Sequence, residues 1–443
     1  MTREKHPNNR NEYLKKVYLA DIGWMKMKVM NEIAIQTNAT INDSGYKEAS
    51  KKKAGDFTRN RKMPFEEVIL FMIFSLKCST QSALRRFFAS IGKPVFMRQQ
   101  SFSEARMKVK VEAFIKLFKL TVAIMTENCC KKWQGYRVYA VDGSKIALPC
   151  DKELLKHYGG HGRNAASPTA QGSIIYDVMN DTVADALITP MATDERTLAK
   201  AHIDSIKGYA PNEKKLVIFD RGYPSFDLIE KLECEGLYYL MRVREKFNLD
   251  IDAQTKADGY VMLKKGQKQI HTRVIKFRLD SGEIETLITN IADRRLGKKA
   301  FKKLYYMRWP VETKYDIVKN KLQLENFTSR SVEGIEQDFY AAMYLTNVVA
   351  AATIDVQPKI TDTRKDKDNK YEYKANTNEL IGVLKDRFVL ALSYDEPSKQ
   401  TAAVQCIIDE ISGSVIPRRV NRSNPRNPSP RKVKFHHNRR VNC

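Results

Sequence analysis

The alternation of apolar strands with amphipathic helices that begins at Tyr136 constrains this chain more than any other feature. YRVYAVDGSKIAL (136–148) predicts a strand, a turn at Asp142-Gly143-Ser144 and a second short strand. QGSIIYDVMN (171–180) and DTVADALITP (181–190) predict two more strands. ERTLAKAHIDSIKGY (195–209) then has helical spacing, and KKLVIFD (214–220) reads as a buried strand followed by the helix SFDLIEKLECEG (225–236). Strands followed by helix–strand alternation indicate an α/β fold with a mixed sheet. Asp142 and Asp220 each end or nearly end an apolar strand, where open α/β sheets gather their ligands.

The flanks are of other kinds. Residues 1–62 are polar and basic, with KKK at 51–53 and RNRK at 59–62. Pro64 opens FEEVILFMIFSLKCSTQSALRRFF, where Phe65, Ile69, Met72 and Ile73 recur at helical spacing with acids in the first turn. A second helix is predicted from about Phe102 to Met125. Residues 237–292 alternate and are rich in β-formers, which predicts a β-rich insertion carried by the main domain. An apolar helix at 338–354 precedes a charged linker at 357–378 and two helices, ELIGVLKDRFVLAL and one near 398–411. From Pro417 onward come nine Arg/Lys and no acid, with prolines that forbid a helix, so this tail is expected to be disordered.

Charge narrows the partner. The 443 residues carry 77 Lys+Arg against 52 Asp+Glu, a net +25 spread along the chain, which favours nucleic acid over a membrane surface. The longest apolar run, VILFMIFSL at 68–76, is nine residues and too short to span a bilayer. The first residues lack the apolar segment of a secretory signal, and seven irregularly spaced cysteines without a CxxC pair suit reduced thiols. A soluble, cytoplasmic, nucleoid-associated protein is expected. His157 and His161 are four apart, but the glycines of HYGGHG oppose the helix that a shared metal face would need.

The densest chemistry lies in YYMRWPVETKYDIVK (305–319). Tyr305, Arg308, Glu312 and Lys319 are spaced by three, four and seven residues, which returns them to one helical face. Pro310 is welcome only in a first turn, so the helix bearing Glu312 can instead start there. Tyr305 and Arg308 would then lie on its lead-in. Two aspartates at strand ends and one helical glutamate are enough to hold divalent ions for phosphoryl transfer, because Mg²⁺ prefers a few carboxylates plus water and substrate oxygens.

The words around these acids make the pattern specific. Tyr-Ala-Val-Asp142-Gly-Ser, Ile-Phe-Asp220-Arg-Gly-Tyr and the Tyr305, Arg308, Glu312, Lys319 spacing resemble the DDE transposases of the insertion sequence four family. In that family the Tyr-Arg-Glu-Lys spacing is a defining mark. Residues 57–72 and 101–109 are similar to the family's N-terminal region, so the resemblance covers roughly 57–350. It implies an α/β, ribonuclease-H-like catalytic domain at 131–355 with a β-rich insertion at about 237–292. An α-helical N-terminal DNA-end-binding domain at 1–130 would precede it. A charged linker with C-terminal helices at 356–415 and a basic disordered tail at 416–443 would follow.

The resemblance further implies that Asp142, Asp220 and Glu312 are catalytic and ligate two Mg²⁺ ions, with Mn²⁺ able to substitute. The reaction would be hydrolysis at the inverted-repeat ends of the chain's own element, then joining of the 3′-OH ends to target DNA. Tyr305, Arg308 and Lys319 would contact DNA phosphates, and Trp309 or Tyr305 would stack on a flipped base. Partners would be double-stranded DNA, as transposon ends and as target, and a second copy of the chain in a DNA-bound homodimer. The competing readings are a metal-dependent endonuclease without strand transfer and a noncatalytic DNA-binding derivative. The presence of all three acids argues against the last.

Overall fold

A computed structural model describes residues 28–418, apart from 60, 75–77, 94–95, 163–164, 280–281 and 366–369. The first 27 residues and the tail beyond 418 lie outside the described residues. Among the described residues the N-terminal region has six helices: α1 (Val29–Ile41), α2 (Ser44–Ser50), α3 (Phe65–Phe74), α4 (Thr80–Ser90), α5 (Gln99–Arg106) and α6 (Glu112–Asn128). α1 falls in the stretch that looks merely polar and basic. It buries Val29, Met30, Ile33 and Ile41, and its polar members find partners inside. Thr37 and the Tyr344 hydroxyl are 2.9 Å apart, and the Asp355 carboxylate accepts from the Val29 and Met30 N–H groups. A carboxylate from a distant helix thus satisfies donors that a helix N-terminus leaves open.

α3 is buried on nearly every side, as its apolar run requires. Ser79 caps α4 by accepting from the Ser82 N–H, a contact of about 1 kcal/mol. The single helix expected over 102–125 is two, α5 and α6. Between them Val109 forms a β-bridge with Lys51, and Arg106 is drawn inward to Gln337, Thr328 and Asp338. These tertiary partners override the local helical preference.

The central region opens with β1 (Tyr136–Ala147), α7 (Lys152–Tyr158), β2 (Gly160–His161), β3 (Ser167–Asp177) and β4 (Thr182–Pro190). It continues through α8 (Glu195–Lys207), β5 (Lys214–Phe219), α9 (Phe226–Cys234), β6 (Tyr238–Val243) and α10 (Leu249–Ala253) to β7 (Asp258–Lys265), β8 (Lys268–Arg278) and β9 (Ile284–Thr289). β4, β3 and β1 are antiparallel neighbours, β5 and β6 run parallel to β1, and β9, β8 and β7 extend the same sheet antiparallel. The β-rich stretch therefore supplies one parallel strand and three that prolong the sheet.

Side chains alternate between two cores, as the strand period of two demands. Val217, Phe219, Tyr239, Met241 and Ile288 face the main core, while Leu216, Ile218, Leu240 and Leu287 face a second one. Asp194 and Ser225 cap α8 and α9. Each helix thus starts where its strand connection ends.

Next come α11 (Lys298–Tyr306), α12 (Pro310–Asp316), a π-helical turn at Ile317–Lys321 and α13 (Val332–Asp362). The described residues end with β10 (Tyr373–Ala375), α14 (Thr377–Ser393), α15 (Pro397–Gly413) and β11 (Val415–Pro417). α13 is long and apolar enough to cross a membrane by length and composition, but most of it is buried inside the protein. It packs on α1, α6, α14, α15 and β4, so helices from both ends of the chain share its core. α13 also runs through Pro358 into the expected linker. Buried Ile360 and the Lys359 Nζ–Asp409 Oδ1 contact of 2.5 Å hold its last turn onto α15.

Candidate active site

The parallel ladder between β1 and β5 aligns the two aspartates. It runs from Tyr136 opposite Lys214 to Ala140 opposite Ile218, and each aspartate follows two residues after that last pair. Asp142 lies inside a continuous strand, paired with Ile174 of β3, and the turn expected at Asp142-Gly143-Ser144 is absent. Gly143 is there for a different reason. A Cβ on it would stand 2.8 Å from Gln171 Nε2 and 3.0 Å from Glu195 Oε1. The glycine marks a close approach.

The third acid arrives from the broken helix. α11 ends at Tyr306, Met307–Trp309 form a turn, and α12 starts with Pro310 in its first turn. Glu312 lies in that first turn. The single helical face fails, yet the groups still converge. Arg308 Nη2 donates to Glu312 Oε1 at 2.9 Å and lies 4.0 Å from Asp220 Oδ2. The Tyr305 hydroxyl donates to Asp220 Oδ1 at 2.9 Å, and the Tyr315 hydroxyl to the Asp142 carbonyl at 3.0 Å.

Two residues expected to touch DNA face inward. Tyr305 is only 6% exposed, with its hydroxyl on Asp220, so its ring is not offered to a base. Lys319 sits in the π-helical turn and donates to Ser144 Oγ at 2.7 Å and to the Lys145 carbonyl. It straps that turn to β1 just beyond Asp142. Trp309, by contrast, is 54% exposed.

The acids are short of positive charge. Burial, then the Glu312 and Asp220 carboxylates, push the Asp142 carboxyl up to about 7 against the pull of Arg308 and the Gly143 N–H. Burial also raises the Asp220 carboxyl. The Arg221 N–H, the Tyr305 hydroxyl, Arg308 and Arg242 outweigh that and leave it below the usual range. Burial works against the Arg308 charge, but Asp220, Tyr305, Asp142 and Glu312 hold it protonated. Two carboxyls in one centre are thus driven in opposite directions, the pattern that separates roles at reaction sites.

Residues 133–348, the span that holds all of these groups, match the family model of the transposase DDE domain. Those residues therefore form a transposase DDE domain. It is 22% identical over 317 residues to transposase InsG for insertion sequence element IS4 of Escherichia coli strain K12, an alignment covering 66% of this chain and 70% of that one. It is also similar to a solved piggyBac transposase synaptic complex with hairpin DNA, at 11% identity and a TM-score of 0.44, over 90% of this chain and 84% of that chain.

One acid near the site carries no mark in the sequence. Glu195, in the first turn of α8, places Oε1 against Gly143 and Oε2 3.7 Å from where a Cβ on Gly222 would stand. Its carboxylate therefore borders the glycines that follow Asp142 and Asp220, and Gln171 Nε2 donates to it at 3.4 Å. An acid after a helix cap is so common that its position carries no signal without the fold. Tyr315 also went unnoticed, being one more aromatic on an amphipathic helix.

Proposed function

We propose that this transposase hydrolyses phosphodiester bonds at the inverted-repeat ends of its own insertion sequence and joins the resulting 3′-OH ends to target DNA. The observation that carries this reading is the convergence of Asp142, Asp220 and Glu312 around a single guanidinium. A ribonuclease-H-like core is supported by the strand order β4-β3-β1-β5-β6, antiparallel and then parallel.

The donor set suits a pair of Mg²⁺ ions, with Mn²⁺ as a substitute: oxygen ligands only, and more negative charge than Arg308 balances. Among the described residues, no three acid, histidine or cysteine side chains stand close enough to hold an ion. Arg308 lies between Asp220 and Glu312, so loading requires the guanidinium to leave Glu312. Bound by Asp142, Asp220 and Glu312, the ions would activate the attacking oxygen and offset charge on the scissile phosphate.

The remaining work falls to the chain. The displaced Arg308 fork suits a DNA phosphate. Tyr305 keeps Asp220 oriented, Lys319 and Tyr315 fix the strand beneath Asp142, and exposed Trp309 can take an unstacked base. The N-terminal helices within 1–130 recognise the element's end in duplex DNA. Two copies act together because two ends must be joined, and they work at the nucleoid in the cytoplasm.

The test is DNA breakage on a plasmid carrying the gene with its natural flanks, with Mg²⁺ or EDTA, comparing wild type with Glu312→Gln. Metal-dependent cuts at the flanks and joined products, both lost in Glu312→Gln, are expected. Cuts without joining would reduce the function to an endonuclease. Cutting that persists in Glu312→Gln would overturn the site.

A further inference from the structure

The segment that delivers Arg308 and Glu312 carries more positive charge than the reaction centre uses. Between Asp293 and Glu312 stand Arg294, Arg295, Lys298, Lys299, Lys302, Lys303 and Arg308, with no acid among them. Packing fixes which way α11 faces. Phe301, Leu304 and Tyr305 are buried in the second core, Arg273 lies over the Phe301 ring, and Lys302 lies over Phe277. The helical period then turns Lys299, Lys303 and Tyr306 outward in one line, and all three are exposed. Lys298 and Trp309 are exposed at either end of that line.

This arrangement works against the helix itself. Lys299 and Lys303 are a like-charged pair four residues apart, and Lys298 and Lys299 sit in a first turn where the helix dipole disfavours cations and no acid compensates. A fold that needed only an amphipathic helix would gain from glutamates here.

We propose that the outer face of α11 is a track for the sugar-phosphate backbone of the DNA strand entering the acid cluster. Lys298, Lys299 and Lys303 take successive phosphates. Tyr306 and Trp309 supply ring surface where the strand reaches Glu312. Nine helical residues span roughly 14 Å, room for about four phosphates of one strand. The inference rests on the reading that this centre acts on DNA.

The experiment is fluorescence anisotropy of the full chain in EDTA, with a labelled duplex of the element's end, titrated at several salt concentrations. K299Q/K303Q is compared with K152Q/K156Q, two exposed lysines at the same spacing on α7. The slope of log affinity against log salt should become shallower by about two in K299Q/K303Q, with affinity near 0.1 M salt falling roughly tenfold per lysine. The α7 pair should leave both unchanged. An equal loss in the two pairs would mean that only net charge matters, and no loss in K299Q/K303Q would mean that no phosphate lies there. Either result overturns the track. Failure of the active-site reading appears separately, as cutting that survives Glu312→Gln, and leaves the salt slopes untouched.

Discussion

Arg137 and Arg308 both face carboxylates, and they are held in opposite ways. Arg137 Nε donates to Asp177 Oδ2 at 2.6 Å, Nη1 to Glu213 Oε2 at 3.0 Å and Nη2 to the Cys129 carbonyl at 2.6 Å. The Arg137 and Asp177 side chains are 2% and 3% exposed, and Asn180 donates to both Asp177 oxygens. Arg308 makes one contact at 2.9 Å and one at 4.0 Å, and each of its carboxylate partners is about a third exposed. The first cluster is complete and braces β1 against β3. The second is under-coordinated and open. That difference separates a charge kept for the fold from one kept for rearrangement.

The largest effect should come from the open cluster. Asp142→Asn, Asp220→Asn or Glu312→Gln should each lower DNA cleavage roughly 10³-fold or more, the scale of losing a group that stabilises charge in the transition state. Thermal unfolding of the same proteins should change little. The closed cluster should show the reverse. Asp177→Ala leaves buried Arg137 with Glu213 as its remaining carboxylate partner and should cost about 3 kcal/mol in urea unfolding. Replacing both partners with apolar residues of similar volume should recover much of that.

A smaller effect concerns pH. Without metal, the folded state holds the Asp142 proton up to about 7, whereas the ordinary value is 3.8. Between those values the folded chain binds more protons than the unfolded one, so this group makes stability fall as pH rises from about 4 to about 7 and stay level above. Urea unfolding in EDTA across that range should show the decline, and Asp142→Asn should flatten it. The smallest effect belongs to Tyr305→Phe. It removes a hydrogen bond that holds the Asp220 carboxyl down, so the acid limb of the cleavage–pH profile should move to higher pH. The stability cost should be about 1 kcal/mol.

The elements legible from sequence were those whose signals are local. β5, α8 and α9 could be read from an apolar run and from helical periods, and the Tyr305–Lys319 motif pointed to the family. Tertiary partners decided the rest. α1 hides because Asp355 and Tyr344 satisfy its polar groups from α13. Asp142-Gly143 looks like a turn because glycine at a close approach leaves the same mark as glycine in a bend. The inward direction of Tyr305 and Lys319 depends on Asp220 and Ser144, 85 and 175 residues away, and no spacing rule reports it.

One comparison tests the contrast most directly: thermal unfolding of Asp142→Asn and Asp177→Asn beside wild type, in EDTA at pH 8. Asp142→Asn should be as stable as wild type or more so, because it removes a carboxyl whose ionisation the fold opposes. Asp177→Asn should unfold at a much lower temperature. If Asp142→Asn lost as much stability as Asp177→Asn, the acids around Arg308 would be a brace for the fold, and their assignment as the reaction centre would be contradicted.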